Sequence, residues 1–303
     1  MVVTVLMRLR PLLTLSLALS LAPPGARASP APNSRVTILY DAFGGPSGLT
    51  RDWGFAALVE YGGKRILFDT GNDAAIFARN VKTLGVDLRR LDFVVVSHRH
   101  GDHTAGINYL LRVNPRVKIY APKEGFGVFG ADLPGSFYRR DTTLPDSMRY
   151  FDASPPAELR FGTPWPEANF HWIDSLTEVA PGMAIIPTVS MNPGTLELRE
   201  LSLAIRTPEG LVLLVGCSHP GIETILQASR PWGDHVRVIF GGLHLVTSPD
   251  SVITRFATAL HDQWRVYQIA PGHCTGEPAF AELRRVFGAR YVYAGLGTRT
   301  DLP

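Results

Sequence analysis

Three histidines and an aspartate fall within six residues in the stretch Ser97-His98-Arg99-His100-Gly101-Asp102-His103. Imidazole nitrogen and carboxylate oxygen together suit zinc, iron or manganese, and leave positions open for water. The apolar, β-branched run Val94-Val95-Val96 stands directly before them. A continuous run of that kind reads as a strand buried on both faces. His98 and His100 alternate by two, so on an extended strand end both point to one side. Asp102 and His103 come from the turn that follows, where Gly101 permits an unusual backbone. They can reach the same space from another direction.

Three further apolar runs end in the same manner. Leu211 to Val215 leads into Gly216-Cys217-Ser218-His219-Pro220-Gly221, and Val236 to Phe240 into Gly241-Gly242-Leu243-His244-Leu245. Val266 to Ile269 leads into Pro271-Gly272-His273-Cys274-Thr275-Gly276. Loops at one edge of a sheet sandwich can converge, which makes His219, His244 and His273 candidates for the same site. His171, His235 and His261 sit in no such context and read as surface or structural residues. Cys217 and Cys274 each lie beside a candidate. A disulfide, two small buried thiols, or a Cys217 thiolate on a metal all fit their positions. Neither a Gly-x-Ser-x-Gly elbow nor a phosphate-binding P-loop is present, so serine-hydrolase and NTPase schemes lack support.

The elements that must position these loops read as follows. Strands are expected at Arg35 to Tyr40, Phe55 to Tyr61 and Arg65 to Asp69, with Gly62-Gly63 as a hairpin turn. A helix over Asp73 to Leu84 turns Ala75, Ile76, Val81 and Leu84 to the core, and a second covers Thr104 to Val113. Val117 to Tyr120 is a strand. Residues 122–180 hold many Gly, Pro and aromatic residues with poor periodicity, and read as an insertion that is either a lid or a packed surface excursion. Met183 to Val189 resumes strand character, and Leu201 to Arg206 pairs with Leu211 to Val215 about Pro208-Glu209-Gly210. Helices follow at Ile222 to Ala228, from a Ser248 cap with Pro249 at the first helical position to about Trp264, and at about Pro278 to Phe287. Tyr291 to Tyr293 is the expected last strand.

The chain has 303 residues, 45% of them hydrophobic, enough for a sizeable α/β core. Its first residues form a separate unit. Arg8 and Arg10 precede an apolar run, Leu12 to Ala22, too short to span a membrane comfortably. Ala26-Arg27-Ala28 then supplies small residues at the positions a signal peptidase reads. Residues 1–28 are therefore expected to be a secretory signal peptide cleaved after Ala28, with an uncleaved anchor as the alternative. The mature chain is expected in the periplasm or the medium. The net charge of +3 lies in this leader, which carries Arg8, Arg10, Arg27 and no acid. The remainder is neutral and has no basic block of the kind that binds nucleic acid or an anionic membrane. A small molecule is the expected partner, with no stable membrane insertion once the leader is removed.

The spacing His-x-His-x-Asp-His after a buried strand resembles the metal motif of the metallo-β-lactamase-fold superfamily. Asp69, at the end of Ile66-Leu67-Phe68-Asp69-Thr70-Gly71, matches that superfamily's early aspartate. Gly-Cys-Ser-His-Pro-Gly-Ile, Gly-Gly-Leu-His-Leu and Pro-Gly-His-Cys-Thr-Gly look like the subgroup related to 7,8-dihydropterin-6-methyl-4-(β-D-ribofuranosyl)aminobenzene-5′-phosphate synthase. The resemblance runs from about Val36 to Gly297 and is weakest in 122–180. It implies an α/β chain folded as a four-layer αββα sandwich over residues 34–303. It further implies two divalent metal ions, zinc first and iron or manganese as alternatives. His98, His100 and His219 would hold one ion, and Asp102, His103 and His273 the other. Asp69 would orient the metal-bearing loop rather than bind. Many members carry a Pro-Gly-His segment where this chain has Asn192-Pro193-Gly194-Thr195, so His219 takes that place. Asp102 would hold both metal and water, and His244 would serve as a substrate-facing donor or as a further ligand.

The function implied is an exported metal-dependent hydrolase, in which a metal-activated hydroxide attacks a small ester, lactone or phosphoester. Three alternatives stand beside it. A pterin-related synthase follows from the subgroup name, but export argues against it. A β-lactamase fits the compartment, but its strings differ. A non-catalytic metal-dependent ligand-binding protein would keep the fold without turnover.

Overall fold

The computed structural model describes residues 1–2, 34–44, 48–124, 132–134, 142, 153–154, 157–160 and 165–303. The expected signal peptide beyond Val2 and about half of the expected lid at 122–180 lie outside the described residues.

The first half of the chain builds one sheet. β1 (Arg35–Tyr40), β2 (Ala56–Tyr61) and β3 (Lys64–Phe68) form an antiparallel meander. α1 (Ala74–Thr83) crosses over to β4 (Phe93–Val95), which lies parallel to β3. α2 (Gly101–Thr104) and α3 (Ile107–Val113) lead to β5 (Lys118–Pro122), parallel to β4. β6 (Asp132–Pro134) and β7 (Glu158–Arg160) make a separate two-stranded pair. β8 (Asn169–Ile173) adds to the edge of the first sheet beside β5, so the end of the stretch expected as an insertion belongs to the sandwich.

A second sheet follows. β9 (Thr177–Ala180), β10 (Met183–Val189), β11 (Arg199–Thr207) and β12 (Gly210–Val215) are antiparallel neighbours. α4 (Ile222–Ser229) crosses to β13 (Val236–Gly242), and α5 (Asp250–Thr258) to β14 (Gln268–Gly272), both strands parallel to β12. α6 (Glu277–Phe287) then precedes β15 (Arg299–Asp301), which returns to the first sheet against β1. The sheet orders are β15-β1-β2-β3-β4-β5-β8 and β14-β13-β12-β11-β10-β9.

Three apolar layers hold these elements together. Alternate residues of one strand enter different layers, as the period of two requires. Val212 and Leu214 of β12 join Val59, Ile66 and Phe68 between the sheets. Leu211, Leu213 and Val215 face α4, α5 and α6 with Ile225, Ile253 and Leu283. Leu58, Leu67 and Val94 pack beneath α1 and α3 with Phe77, Ile107 and Leu110. The order is helix, sheet, sheet, helix. Both faces of the central strands are covered, which is why they read as unbroken apolar runs. Among the described residues no helix is long and apolar enough to cross a membrane.

Four local expectations are corrected. In α1 it is Phe77, Asn80 and Val81 that are buried, while Ala75 is exposed and Ile76 and Leu84 are only partly covered. Asn80 is there to be bonded: its amide nitrogen donates to Thr50 O at 2.9 Å and its oxygen accepts from Thr50 N at 2.9 Å. The helix expected over Thr104 to Val113 is broken at Ala105-Gly106, because the chain passes so close to Thr70 that a Cβ on Gly106 would lie 2.1 Å from Thr70 O. At α5 the cap is Pro249 itself, with no side-chain cap bond, and the helix ends in a π turn at Ala259–Gln263. Tyr291 makes a single bridge to Ile269, and the last strand is β15 instead.

Gly241 shows how tightly the parallel strands converge. It has φ +119, and a Cβ there would lie 1.9 Å from Val215 O. Gly241→Ala is expected to destabilise the protein by about 2 kcal/mol or more, because backbone rather than a flexible side chain must move. Urea melts of the two proteins check this.

Candidate metal centre

The parallel strands β3, β4, β12, β13 and β14 all deliver their C-terminal ends to one side of the sandwich, where crevices of α/β sheets bind ligands. Asp69 follows β3, His98 to His103 follow β4, Cys217 to His219 follow β12, His244 follows β13 and His273 follows β14. Asp69, Ser218, His244 and His273 are non-glycine residues with positive φ, between 48 and 63°. Such backbone clusters at functional sites.

The side chains meet in two groups. His98, His100 and His219 offer ligand atoms within 4.8 Å of one another, and so do Asp102, His103 and His273. His98 Nε2 lies 3.1 Å from His100 Nδ1, and His103 Nε2 lies 3.2 Å from His273 Nε2. Asp102 Oδ2 is 3.3 Å from His273 Nε2. The His219 ring stands 4.9 Å from that of His98 and 4.8 Å from that of His100. Both ring nitrogens of His219 and Nδ1 of His273 are buried with no hydrogen-bond partner. Buried polar atoms are rarely left so, and nitrogen lone pairs facing one another at such distances fit a divalent cation between them.

Behind these groups stands a set of carboxylates that fixes them. Asp69 is fully buried. Its Oδ1 accepts from Ser97 N at 2.7 Å, and its Oδ2 accepts from Ser97 Oγ at 2.7 Å and from His103 Nδ1 at 2.7 Å. That contact fixes the His103 tautomer and turns Nε2 into the site. Glu200, also fully buried, accepts from Cys217 N at 3.0 Å and Ser218 N at 2.8 Å with Oε1, and from His219 N at 2.9 Å with Oε2. Asp41 accepts from His273 N at 3.0 Å. Burial pushes both Glu200 and Asp41 up to about 7.

Charge follows from these neighbours. Burial, aided by the charges of His244 and His100, pushes His219 down to about 3, and burial beside His103 and His100 lowers His98 as well. Both rings are neutral near pH 7 and keep a lone pair. Burial would also lower His103, but Asp69 outweighs it and holds His103 up at about 9. Burial would raise Asp102, but the His273 hydrogen bond and the His103 charge hold it below the usual carboxylate range.

One pH dependence results. With its pKa raised above the ordinary 6.5 or so, His103 adds stability to the metal-free protein that is full below about pH 6.5 and is lost as pH rises through about 9. The loss is on the order of 3 kcal/mol. Urea melts of chelator-treated protein across that window should show it, and a His103→Asn variant should not.

The sequence expectations can be placed one by one. His98, His100 and His219 come together, as do Asp102, His103 and His273. His244 is exposed on the open side, its ring 4.3 Å from that of His219. His171 and His235 are exposed and His261 is partly buried; none of the three belongs to a metal-capable group among the described residues. Cys217 and Cys274 are buried and free. Ser97, Glu200 and Asp41 were not expected. Neither carboxylate carries a strong local signal: Glu200 stands at the start of β11 beside Arg199 and three residues after Glu197, and Asp41 looks like any strand-end turn residue.

Comparison with known proteins agrees with this geometry. Residues 50–190 match the family model of the metallo-beta-lactamase superfamily. The chain is 30% identical over 261 residues to 7,8-dihydropterin-6-methyl-4-(beta-D-ribofuranosyl)-aminobenzene-5'-phosphate synthase of Methanocaldococcus jannaschii, covering 78% of this chain and 85% of that protein. The chain belongs to the metallo-beta-lactamase superfamily. Among solved structures, Tm1679, a metal-dependent hydrolase of the beta-lactamase superfamily, superposes with a TM-score of 0.66 at 26% identity, over 88% of this chain and 98% of that one. The metallo-beta-lactamase fold protein YhfI from Bacillus subtilis superposes with a TM-score of 0.56 at 14% identity, over 88% of this chain and 98% of that one. The four-layer sandwich expected from the sequence is the fold found.

Proposed function

We propose that this protein is a metal-dependent hydrolase of a small ester, lactone or phosphoester. His98, His100 and His219 hold one divalent ion, and Asp102, His103 and His273 hold a second. The observation that carries the reading is the convergence of the two side-chain groups, with both ring nitrogens of the buried His219 left without a hydrogen-bond partner. Zinc suits this donor set best. Bound there, such an ion polarises a carbonyl or phosphoryl oxygen and lowers the pKa of water.

The chain's own residues do the rest. Asp102 is only partly buried, so its carboxylate can orient water as well as hold metal. The hydrogen bond to Cys274 raises His244 above the ordinary imidazole value, which favours a proton there for a leaving group. Trp53, exposed beside His273 with ring centres 5.1 Å apart, gives the mouth an apolar wall. Met191 and Leu196 are exposed on the loop that Asn192 ties to the His219 carbonyl at 2.6 Å. An organic substrate with an apolar portion suits these surfaces.

The similarity to a named synthase supports a second reading, a group transfer on a pterin-related phosphate. A turnover screen separates the two. Metal-loaded protein should hydrolyse chromogenic esters, lactones or phosphodiesters, and chelated protein should not. Turnover of a β-lactam alone would assign a β-lactamase, a pterin-linked transfer without hydrolysis would assign the synthase, and no turnover with metal bound would assign a binding protein. We propose export as well, on the pattern of residues 1–28. N-terminal sequencing of protein recovered outside the cytoplasm should begin after Ala28.

A further inference from the structure

No regular structure holds His98 and His100 in place. From Val96 to His100 the chain forms neither strand nor helix, and among the described residues no backbone hydrogen bond joins His98 or Arg99 to another element. The loop is fixed on either side of that stretch. Ser97 is bonded to Asp69 through its N–H and its hydroxyl, and its carbonyl accepts from Leu201 N at 2.8 Å. The His100 carbonyl accepts from His103 N at 3.1 Å and from Thr104 Oγ1 at 3.2 Å. Between these points one hydrogen bond leaves the loop among the described residues, and it comes from a side chain with no part in the chemistry above. Arg99 Nη1 donates to Glu124 Oε2 at 2.9 Å.

Glu124 presents its carboxylate from a fixed strand end. It follows β5, where Lys123 N donates to Ile173 O at 2.9 Å. Its side chain is only 4% exposed, and Oε1 has no hydrogen-bond partner. Carboxylates are almost never buried so deeply unless paired. Burial raises the Glu124 pKa, and the Arg99 charge opposes that rise. A buried ion pair adds little net stability, so what this one contributes is a fixed geometry. His98 and His100 place ring nitrogens 3.1 Å apart in the centre and turn their rings to His219. Arg99 stands between them and reaches instead to Glu124, which belongs to no metal-capable group among the described residues. A turn of the backbone at Arg99 would carry both rings with it.

We propose that Glu124 is a positioning residue of the metal centre: through Arg99 it holds the stretch from His98 to His100 in the shape that binds the first ion. The dependence is selective. His98, His100 and His219 rely on this pair, whereas His103 and His273 in the other group have supports of their own in Asp69 and Asp41. The inference rests on the two-metal reading above.

Cobalt(II) titrated into the chelator-treated full chain, followed by its visible absorption, tests this. The step that His98→Ala abolishes marks the first ion, and the step that Asp102→Ala abolishes marks the second. Glu124→Leu and Arg99→Met should each weaken the first step at least about tenfold and leave the second unchanged. Arg99→Lys keeps the charge and should recover most of the loss. The double variant Arg99→Met, Glu124→Leu buries no unpaired charge, which guards against a folding failure in either single one. It should bind the first cobalt no more weakly than the weaker single variant, because the two side chains act as a unit. A pair that serves stability alone would lower the urea midpoint and leave both steps of the folded protein intact. That result, or an equal weakening of both steps, overturns the positioning role while leaving the metal site standing. A wild type that binds no cobalt, or whose titration His98→Ala does not change, overturns the metal reading and this inference with it.

Discussion

Asp102→Ala is expected to lower the metal content from about two ions per chain to about one and to reduce turnover at least about a hundredfold, since even partners one step behind a ligand cost ten- to a hundredfold when removed. The fold should survive. Asp102 is only partly buried, and its contacts in the site are with His273 and His103. Loss of Asp102 leaves those two rings with no carboxylate in their group, whereas His98, His100 and His219 keep their arrangement. Elemental analysis and steady-state kinetics on one preparation read both effects. Unchanged turnover in the variant would remove Asp102 from the reaction.

Asp69→Ala should behave in the opposite way, failing first in stability. The side chain is fully buried and accepts three hydrogen bonds, from Ser97 N, Ser97 Oγ and His103 Nδ1. Alanine leaves Ser97 N and His103 Nδ1 without their acceptor in the interior, removes one partner of Ser97 Oγ, which also lies 2.9 Å from His98 Nδ1, and strips the His103 imidazolium of its counter-charge. The expected cost is roughly 3–5 kcal/mol, a large fraction of the stability of an ordinary domain. Metal-free protein should show the whole loss in urea melts. A variant that melts like the wild type but binds metal poorly would make Asp69 a ligand rather than a support.

The two aspartates also show how far the sequence alone reaches. Asp102 is legible because three histidines crowd its loop and a buried valine strand precedes it. The same signal, an apolar run ending in a polar loop, locates His219, His244 and His273. The layers of the fold follow from the same runs, since strands covered on both faces carry no polar alternation. Glu200 and Asp41 are less visible, because their work is done on backbone N–H groups of loops distant in sequence. The exchange of Phe77 and Asn80 for Ala75 in the buried face of α1 has a similar cause: Asn80 is buried for its bonds to Thr50, which periodicity does not record. The last strand was missed for want of local signal. Arg299–Asp301 is short and polar, and its place on β1 is set by pairing rather than by composition.

The pair of metal-capable groups is the centre of the account, and metal content tests it most directly. Elemental analysis of the native protein, purified without chelator, should find about two divalent ions per chain, zinc foremost, falling to about one in either Asp102→Ala or His98→Ala. No metal, or a single ion that survives both substitutions, would contradict the assignment of these residues.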